Sequence, residues 1–486
     1  MLLVSILSLS ACPALASYGI YVGRNLTENG SVFLGGSGDE VSSHWLEIVA
    51  AKQHPPGATV SVGVDESAFL PGVLTTIPQV PHTARYLTMN YTEYEGFPPP
   101  LTNGGLNEYG VAARDIWSPS REELVDMTPE PQRGPNYSDL SRIVMERARS
   151  AEEAVTIVGD LINTYGYSSY GGNSHMFADS KEGWVLIEFA GGKGLWVARR
   201  LGPDEVVMFY PGYIGEIPTD IQADPDFRAS DNFVSFAIEK GWFSPDSGKA
   251  FNVTEVYGTD EIRFPRQEME QELRRAAPID LRDMLNAVRD RRISKDATGY
   301  GQVAELKSDT PANLRTLWVA PTGSVTAPFI PYRIGVEGIP PEYGRHRYLS
   351  KNESRNFITP DWQVREATLF AGRLFKRLMY YTCDQPQKFL PEVTEALTAF
   401  EDRMIAEQAT VDTIAATLYS ANEPALARKY LTDYTHGRAL AALDLGVALL
   451  ASIEARTRVL YGIREPEGNE TSRLDYQMVK CMQPDS

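Results

Sequence analysis

Near the start of the chain, "ILSLSACPALASY" (residues 6–18) holds two side chains that become chemically special only if proteolysis turns them into an N-terminus, Cys12 and Ser17. A serine hydroxyl is a weak nucleophile at neutral pH. A serine that is also the first residue carries its own base, because an α-amine has a reference pKa of about 7.7–8.0 and can take the hydroxyl proton. The preceding "MLLVSILSLSACPALA" is uncharged, apolar and ends in Ala14-Leu15-Ala16, a small-x-small site for signal peptidase. It is too short to span a bilayer as a helix. Cleavage after Ala16 gives a secreted chain that starts at Ser17. A rival cut remains, since "LSAC" matches a bacterial lipobox and would leave a lipidated Cys12.

Seven of sixteen asparagines open an Asn-x-Ser/Thr sequon, where Ser/Thr frequency alone would give roughly two. This excess favours the secreted glycoprotein over the lipoprotein. Asn90, Asn136, Asn252, Asn352 and Asn469 are the expected glycan sites. Asn25 and Asn29 fall between two predicted strands and qualify only if that turn faces solvent. After cleavage Cys383 and Cys481 remain, compatible with one disulfide in an oxidising compartment or with two buried thiols.

The formal charge of -18 disfavours nucleic acid and anionic membranes as partners, and no basic run offsets it. HExxH, paired CxxC, GxxxxGK[ST], strand-linked GxGxxG and GxSxG are all missing. Metalloprotease, P-loop, dinucleotide and α/β-hydrolase chemistry are thereby disfavoured, and neither metal nor cofactor is expected. A small-molecule substrate is the expected partner; the oligomeric state stays open.

The elements that must position Ser17 are mostly strands. From 17 to about 335 the chain gives short β-branched and aromatic runs bounded by Gly, Asn or Asp, including a three-stranded meander within "GNSHMFADSKEGWVLIEFAGGKGLWVARR". Between them "SAEEAVTIVGDLINTYG" reads as a helix, with a capping box from Ser150 and Glu153 and an apolar face from Ala151 to Ile162. This order predicts an α+β domain with helices packed on antiparallel sheet. Past "GVEGIPPEYGRHRY", residues 361–462 read as three or four amphipathic helices, so 346–486 forms a mainly helical C-terminal region. The last apolar run contains Asp444 and reads as a packed helix, leaving no membrane span once the signal is removed.

"SYGIYVGRNLTENGSVFLGGSGDEVSSHW" resembles the opening of the peptidase C69 dipeptidases, N-terminal-nucleophile hydrolases that start at cysteine. That family has Val-Gly at +5 and +6, Asp-Gly-Ser at +12 to +14 and Asp at +22. Counted from Ser17, this chain has Val22-Gly23, Asn29-Gly30-Ser31 and Asp39; counted from Cys12 it matches none. "TNGGLNEYGVA", the helix, the meander and "LWVAPTGSVTAPFIPYRIGVEGIPPEYG" continue the resemblance to about residue 345.

The resemblance implies a four-layer αββα sandwich, with Ser17 in the place of the nucleophile. It places Asp39 beside the α-amine and Asn107 as an oxyanion donor, although Asp39 also suits a turn and Asn107 a turn before Gly110. Gly36 and Gly212 stand where relatives carry Arg and Asn, with Asn173 and His175 as possible replacements. Asp39, Glu40 and Glu108 are the carboxylates that could hold a substrate's free amine. The implied activity is cleavage of dipeptides or small peptides through an acyl-enzyme. An acylase or acyltransferase on other amides, and a non-catalytic secreted glycoprotein, are the alternatives.

Overall fold

Along the strand Ala112–Ile116, alternate side chains leave opposite faces, and all five residues are buried. A sheet buried on both faces needs a layer on each side. The computed structural model, which describes residues 17–39, 44–91, 95–209, 214–259, 266–295, 297–346, 369–462 and 481, supplies them.

One antiparallel sheet has six strands, in the order Val206–Phe209, Tyr18–Val22, Val32–Asp39, Thr298–Leu306, Thr316–Ala320, Ile330–Arg333. The other has nine, running from Phe227–Ala229 through Trp196–Leu201, Gly183–Glu188, Asn173–Ala178, Ala112–Ile116, Gly104–Asn107 and Tyr86–Tyr91 to His44–Val49, with Leu101–Thr102 also on Tyr86–Tyr91. Their inner faces share one core in which Tyr21, Leu34, Ile116 and Met176 meet, and a Cβ on Gly19 would strike Met176. Helices Tyr137–Arg147 and Ala151–Tyr165 cover the outer face of the nine-stranded sheet, and Leu281–Arg289 lies on that of the other. The αββα order expected from the sequence is therefore present.

The meander forms as predicted, with Ser174 opposite Ile187 and Ile187 opposite Val197. The predicted helix begins at Ala151, and Ser150 Oγ accepts from the Glu153 N–H at 3.1 Å. The other half of the expected box differs: Glu153 reaches back to the N–H of Arg149, at 2.7 Å.

Among the described residues the C-terminal region forms three helices, Ala371–Asp384, Pro386–Ser420 and Pro424–Tyr461. They do not fold around a separate core: Phe375, Leu397 and Ile453 belong to the same apolar cluster as the sheets. Buried Glu401 ties the long middle helix to the sandwich. Its carboxylate takes both terminal nitrogens of Arg289, Nη1 of Arg282 at 2.6 Å and the N–H of Phe329 at 2.8 Å. Cys383 and Cys481 are joined as a disulfide. No helix among the described residues is long and apolar enough to cross a membrane.

The sequons divide by exposure. Asn25 and Asn29 are exposed, so the turn between the first two strands does face solvent. Asn90 and Asn136 correct the expectation. Asn90 is buried with Nδ2 on Glu47, and Asn136 caps the helix Tyr137–Arg147 while its Nδ2 donates to the Gly63 carbonyl at 2.7 Å. A glycan on either would displace those contacts. Asn252 is half-buried as the cap of Val253–Tyr257; Asn352, Asn469 and the leader 1–16 lie outside the described residues.

Two stability measurements follow. Glu401→Ala leaves Arg289 inside without its counter-charge, and should lower unfolding stability by about 3–5 kcal/mol in denaturant titrations; Lys429→Ala, which breaks an exposed pair with Asp433, should change nothing measurable. The second concerns His175, wholly buried with Nδ1 3.0 Å from Glu188. Burial pulls its pKa down, but the charge and hydrogen bond of Glu188, helped by Asp115, overcome this and raise it above its ordinary value. A raised folded pKa contributes stability that is complete below the unfolded value, about 6.5, and disappears as pH rises through the folded one. The stability advantage of wild type over His175→Gln should therefore shrink between neutral and alkaline pH, followed by thermal unfolding across pH 5–9.

Candidate active site

Antiparallel pairing brings the start of one strand to the end of its neighbour, so Tyr18 lies opposite Ser37, and Asp39 opposite Thr298. Ser17 consequently sits at the rim of the six-stranded sheet beside Asp39, both side chains nearly buried. The backbone N–H of Asp39 donates to Ser17 Oγ at 3.3 Å. Asp39 is not an ordinary turn residue. Its Oδ1 accepts from Thr298 Oγ1 at 2.7 Å, and its Oδ2 is 2.9 Å from Lys295 Nζ. The Lys295 N–H in turn donates to Thr298 Oγ1 at 3.1 Å, closing a small ring of polar contacts. Two of the three sequence-predicted residues are thus brought together.

The third is not. The end of the nine-stranded sheet that faces Ser17 is marked by Asn103, Arg114 and His44. Asn107 lies at the opposite end of its strand, about 13 Å farther along at about 3.3 Å per residue. Its amide is also fully engaged: Nδ2 donates to the carbonyls of Met145 and Ala148, at the C-terminus of Tyr137–Arg147, and Oδ1 accepts from Tyr109 and Val111 N–H. Asn107 is a turn residue that satisfies orphan helix carbonyls, so the oxyanion role expected for it is corrected. Glu108 leaves the list of amine-binding carboxylates for the same reason, since it lies beside Asn107 and accepts from the Arg85 N–H at 2.8 Å. Glu40 and Gly212 lie outside the described residues.

His175 and Asn173 do not reach the nucleophile either. His175 leaves the helix-facing side of the nine-stranded sheet, on the same side as Phe177, where Nε2 lies 3.1 Å from Ser141 Oγ. Asn173 Oδ1 accepts from the Tyr170 hydroxyl at 2.9 Å.

Sequence reasoning missed the basic groups. Arg114 lies on the inter-sheet side of its strand, wholly buried, with Nη1 donating to the Tyr300 hydroxyl and its guanidinium 4.8 Å from that ring's centre. Its Nε and Nη2 have no hydrogen-bond partner among the described residues. Arg114 pairs with Gly104, at the other end of Gly104–Asn107 from Asn107 itself. At Gly36 the backbone has φ +147°, and a Cβ there would collide with the Tyr18 carbonyl oxygen. No arginine can occupy that position in this backbone. The cation comes instead from Lys295, more than 250 residues later, a distance over which no local pattern could have signalled it.

Burial holds the Tyr18 hydroxyl well above its ordinary pKa, so it stays neutral and donates to the Val288 carbonyl at 3.0 Å. No cluster of ligands for a metal ion occurs among the described residues. The site offers a hydroxyl at the expected mature N-terminus, a carboxylate fixed by a lysine and a threonine, and an arginine with open donors. Such a set suits acyl transfer to a nucleophile that carries its own amine.

The curated "Probable dipeptidase B" of Lactococcus lactis subsp. lactis (strain IL1403) is 28% identical over 165 residues, covering 33% of this chain and 33% of that protein. The aligned part thus spans about a third of that relative's length. Two variants of the conjugated bile acid hydrolase from Clostridium perfringens match at 9% and 10% identity, covering 63% and 71% of this chain and 89% and 100% of theirs, with TM-scores of 0.28 and 0.29. The model of Peptidase family C69 matches residues 20–266. With more than half of its 486 residues inside that match, the chain belongs to peptidase family C69 and is a hydrolase.

Proposed function

We propose that the protein is a secreted N-terminal-serine peptidase that cleaves dipeptides or small peptides. The observation that carries this reading is the placement of Ser17 Oγ on the N–H of Asp39, with the Asp39 carboxylate held by Lys295 and Thr298. Removal of residues 1–16 creates the α-amine. Ser17 Oγ attacks the scissile carbonyl while that amine takes its proton, and Arg114 and neighbouring N–H groups face the oxyanion. The amine passes the proton to the leaving nitrogen as the C–N bond breaks, leaving an ester on Ser17 that water then hydrolyses.

Asp39 and Lys295 act on the amine in opposite directions: an anion raises an ammonium pKa and a cation lowers it.

Mass spectrometry of the secreted, deglycosylated protein should give a chain that begins at Ser17; a start at Cys12 would remove the proposed base. The processed protein should hydrolyse dipeptides faster than N-acyl amino acids, and correctly processed Ser17→Ala should lose about 10⁴-fold in kcat. Retained activity in that variant would end the serine mechanism. Lys295→Met should move the acid limb of the kcat/KM profile up by about one pH unit and Asp39→Asn should move it down, since each removes one of two opposing charges.

A further inference from the structure

In the loop 322–326, three buried hydroxyls reach the carbonyls of three different elements. Thr322 Oγ1 donates to the Thr298 carbonyl at 3.1 Å and Ser324 Oγ to that of Val288 at 3.1 Å. Thr326 Oγ1 donates to the carbonyl of Phe375, on the helix Ala371–Asp384, at 3.3 Å. Val325 turns its N–H to Ser294 Oγ, also at 3.1 Å. Gly323 allows this approach by having no side chain: a Cβ there would lie 2.9 Å from the Lys295 carbonyl oxygen and 2.5 Å from Met379 Cε. The loop is thus held between the segment 294–298 and the C-terminal helix.

The segment 294–298 is what meets the carboxylate beside Ser17. Lys295 Nζ and Thr298 Oγ1 both hold Asp39, and the Thr298 N–H donates back to the Lys295 carbonyl at 3.0 Å, so the two side chains stand on one turn. Any shift of that turn moves a cation and a hydroxyl together. Thr322 fixes it at the carbonyl of Thr298, the residue paired with Asp39 in the sheet. From the other side, Val325 packs with Met379, Cys383 and Cys481 in one apolar cluster, so the disulfide lies in the loop's support. The hydroxyls of the loop are neutral and each is satisfied by a carbonyl, which suits them to fixing geometry.

We infer that residues 322–326 are a positioning loop for the Ser17 site. Thr322 fixes the turn that presents Lys295 and Thr298 to Asp39, and the helix Ala371–Asp384 supports the loop from behind. The kinetic consequence rests on the Ser17 reading; the placement of the turn does not.

Thr322→Val keeps the branched side chain and removes the hydroxyl. It should lower kcat about three- to tenfold, the range of one lost hydrogen bond, with KM changed by less than about twofold, and Thr322→Ser should restore most of the loss. Thr322→Ala should show the same loss and serves as the second variant should valine disturb the packing. In a background of Lys295→Met with Thr298→Val, where neither contact remains to be placed, Thr322→Val should cost less than about twofold. Hydrogen exchange in Ser17→Ala reads the turn without catalysis, so an error about the nucleophile leaves this readout intact. Peptide 293–300 should exchange about threefold faster when Thr322→Val is added, and likewise with Thr326→Val, which frees the loop from the helix, while Ala151–Tyr165 keeps its rate. An equal loss of kcat in both backgrounds, or wild-type kcat and exchange in Thr322→Val, would overturn the positioning role. Unchanged exchange with Thr326→Val would overturn the part given to the helix.

Discussion

A carboxylate inside a protein must be matched by a cation and hydrogen-bonded, or it will be protonated instead. Asp39 meets that requirement through Lys295 and Thr298, and the setting of Ser17 follows from it. Ser17 is the first residue of the expected mature chain, so no upstream segment would hold it. What fixes it is the pairing of Tyr18–Val22 with Val32–Asp39 and the Asp39 N–H at its hydroxyl.

Lys295 reaches Asp39 because of what lies behind it. It follows the helix Leu281–Arg289, whose last carbonyls are gathered in by the sandwich: Val288 accepts from Tyr18 and from Ser324. Arg289 then donates Nε to the Ser324 carbonyl and turns its remaining nitrogens to Glu401 on the C-terminal helix. A continuous set of polar contacts thus runs from the helical tail through Arg289 to Tyr18, next to Ser17. The tail is part of the enzyme's core, which is why it shares the apolar cluster of the sheets.

The two faces of the nine-stranded sheet divide the remaining polar groups. Arg114 points between the sheets, toward the site, with open donors; Asp115, one residue later, leaves the opposite face, where His175 and Glu188 form a buried pair beneath Tyr137–Arg147. Strand alternation alone makes this separation.

Local patterns carried much of this into the sequence. Alternation and turn residues made the meander legible, Ser150 marked the helix start, and the spacing from Ser17 to Asp39 was readable because consecutive strands in a hairpin keep a fixed register. Asn107 was legible only as a motif: Asn-Glu-Tyr-Gly looks the same whether its amide faces a substrate or closes a turn, and the neighbouring helix end decided for the turn. Sequons likewise show composition but not burial, so Asn90 and Asn136 read as glycan sites until packing enclosed them. Lys295 and Arg114 had no local signal at all. Their partners lie far away in the chain, and long-range ion pairs are set by where whole elements dock. The sequence by itself determined the register of Ser17 with Asp39 and the layered fold; tertiary packing alone decided which charges surround those two residues.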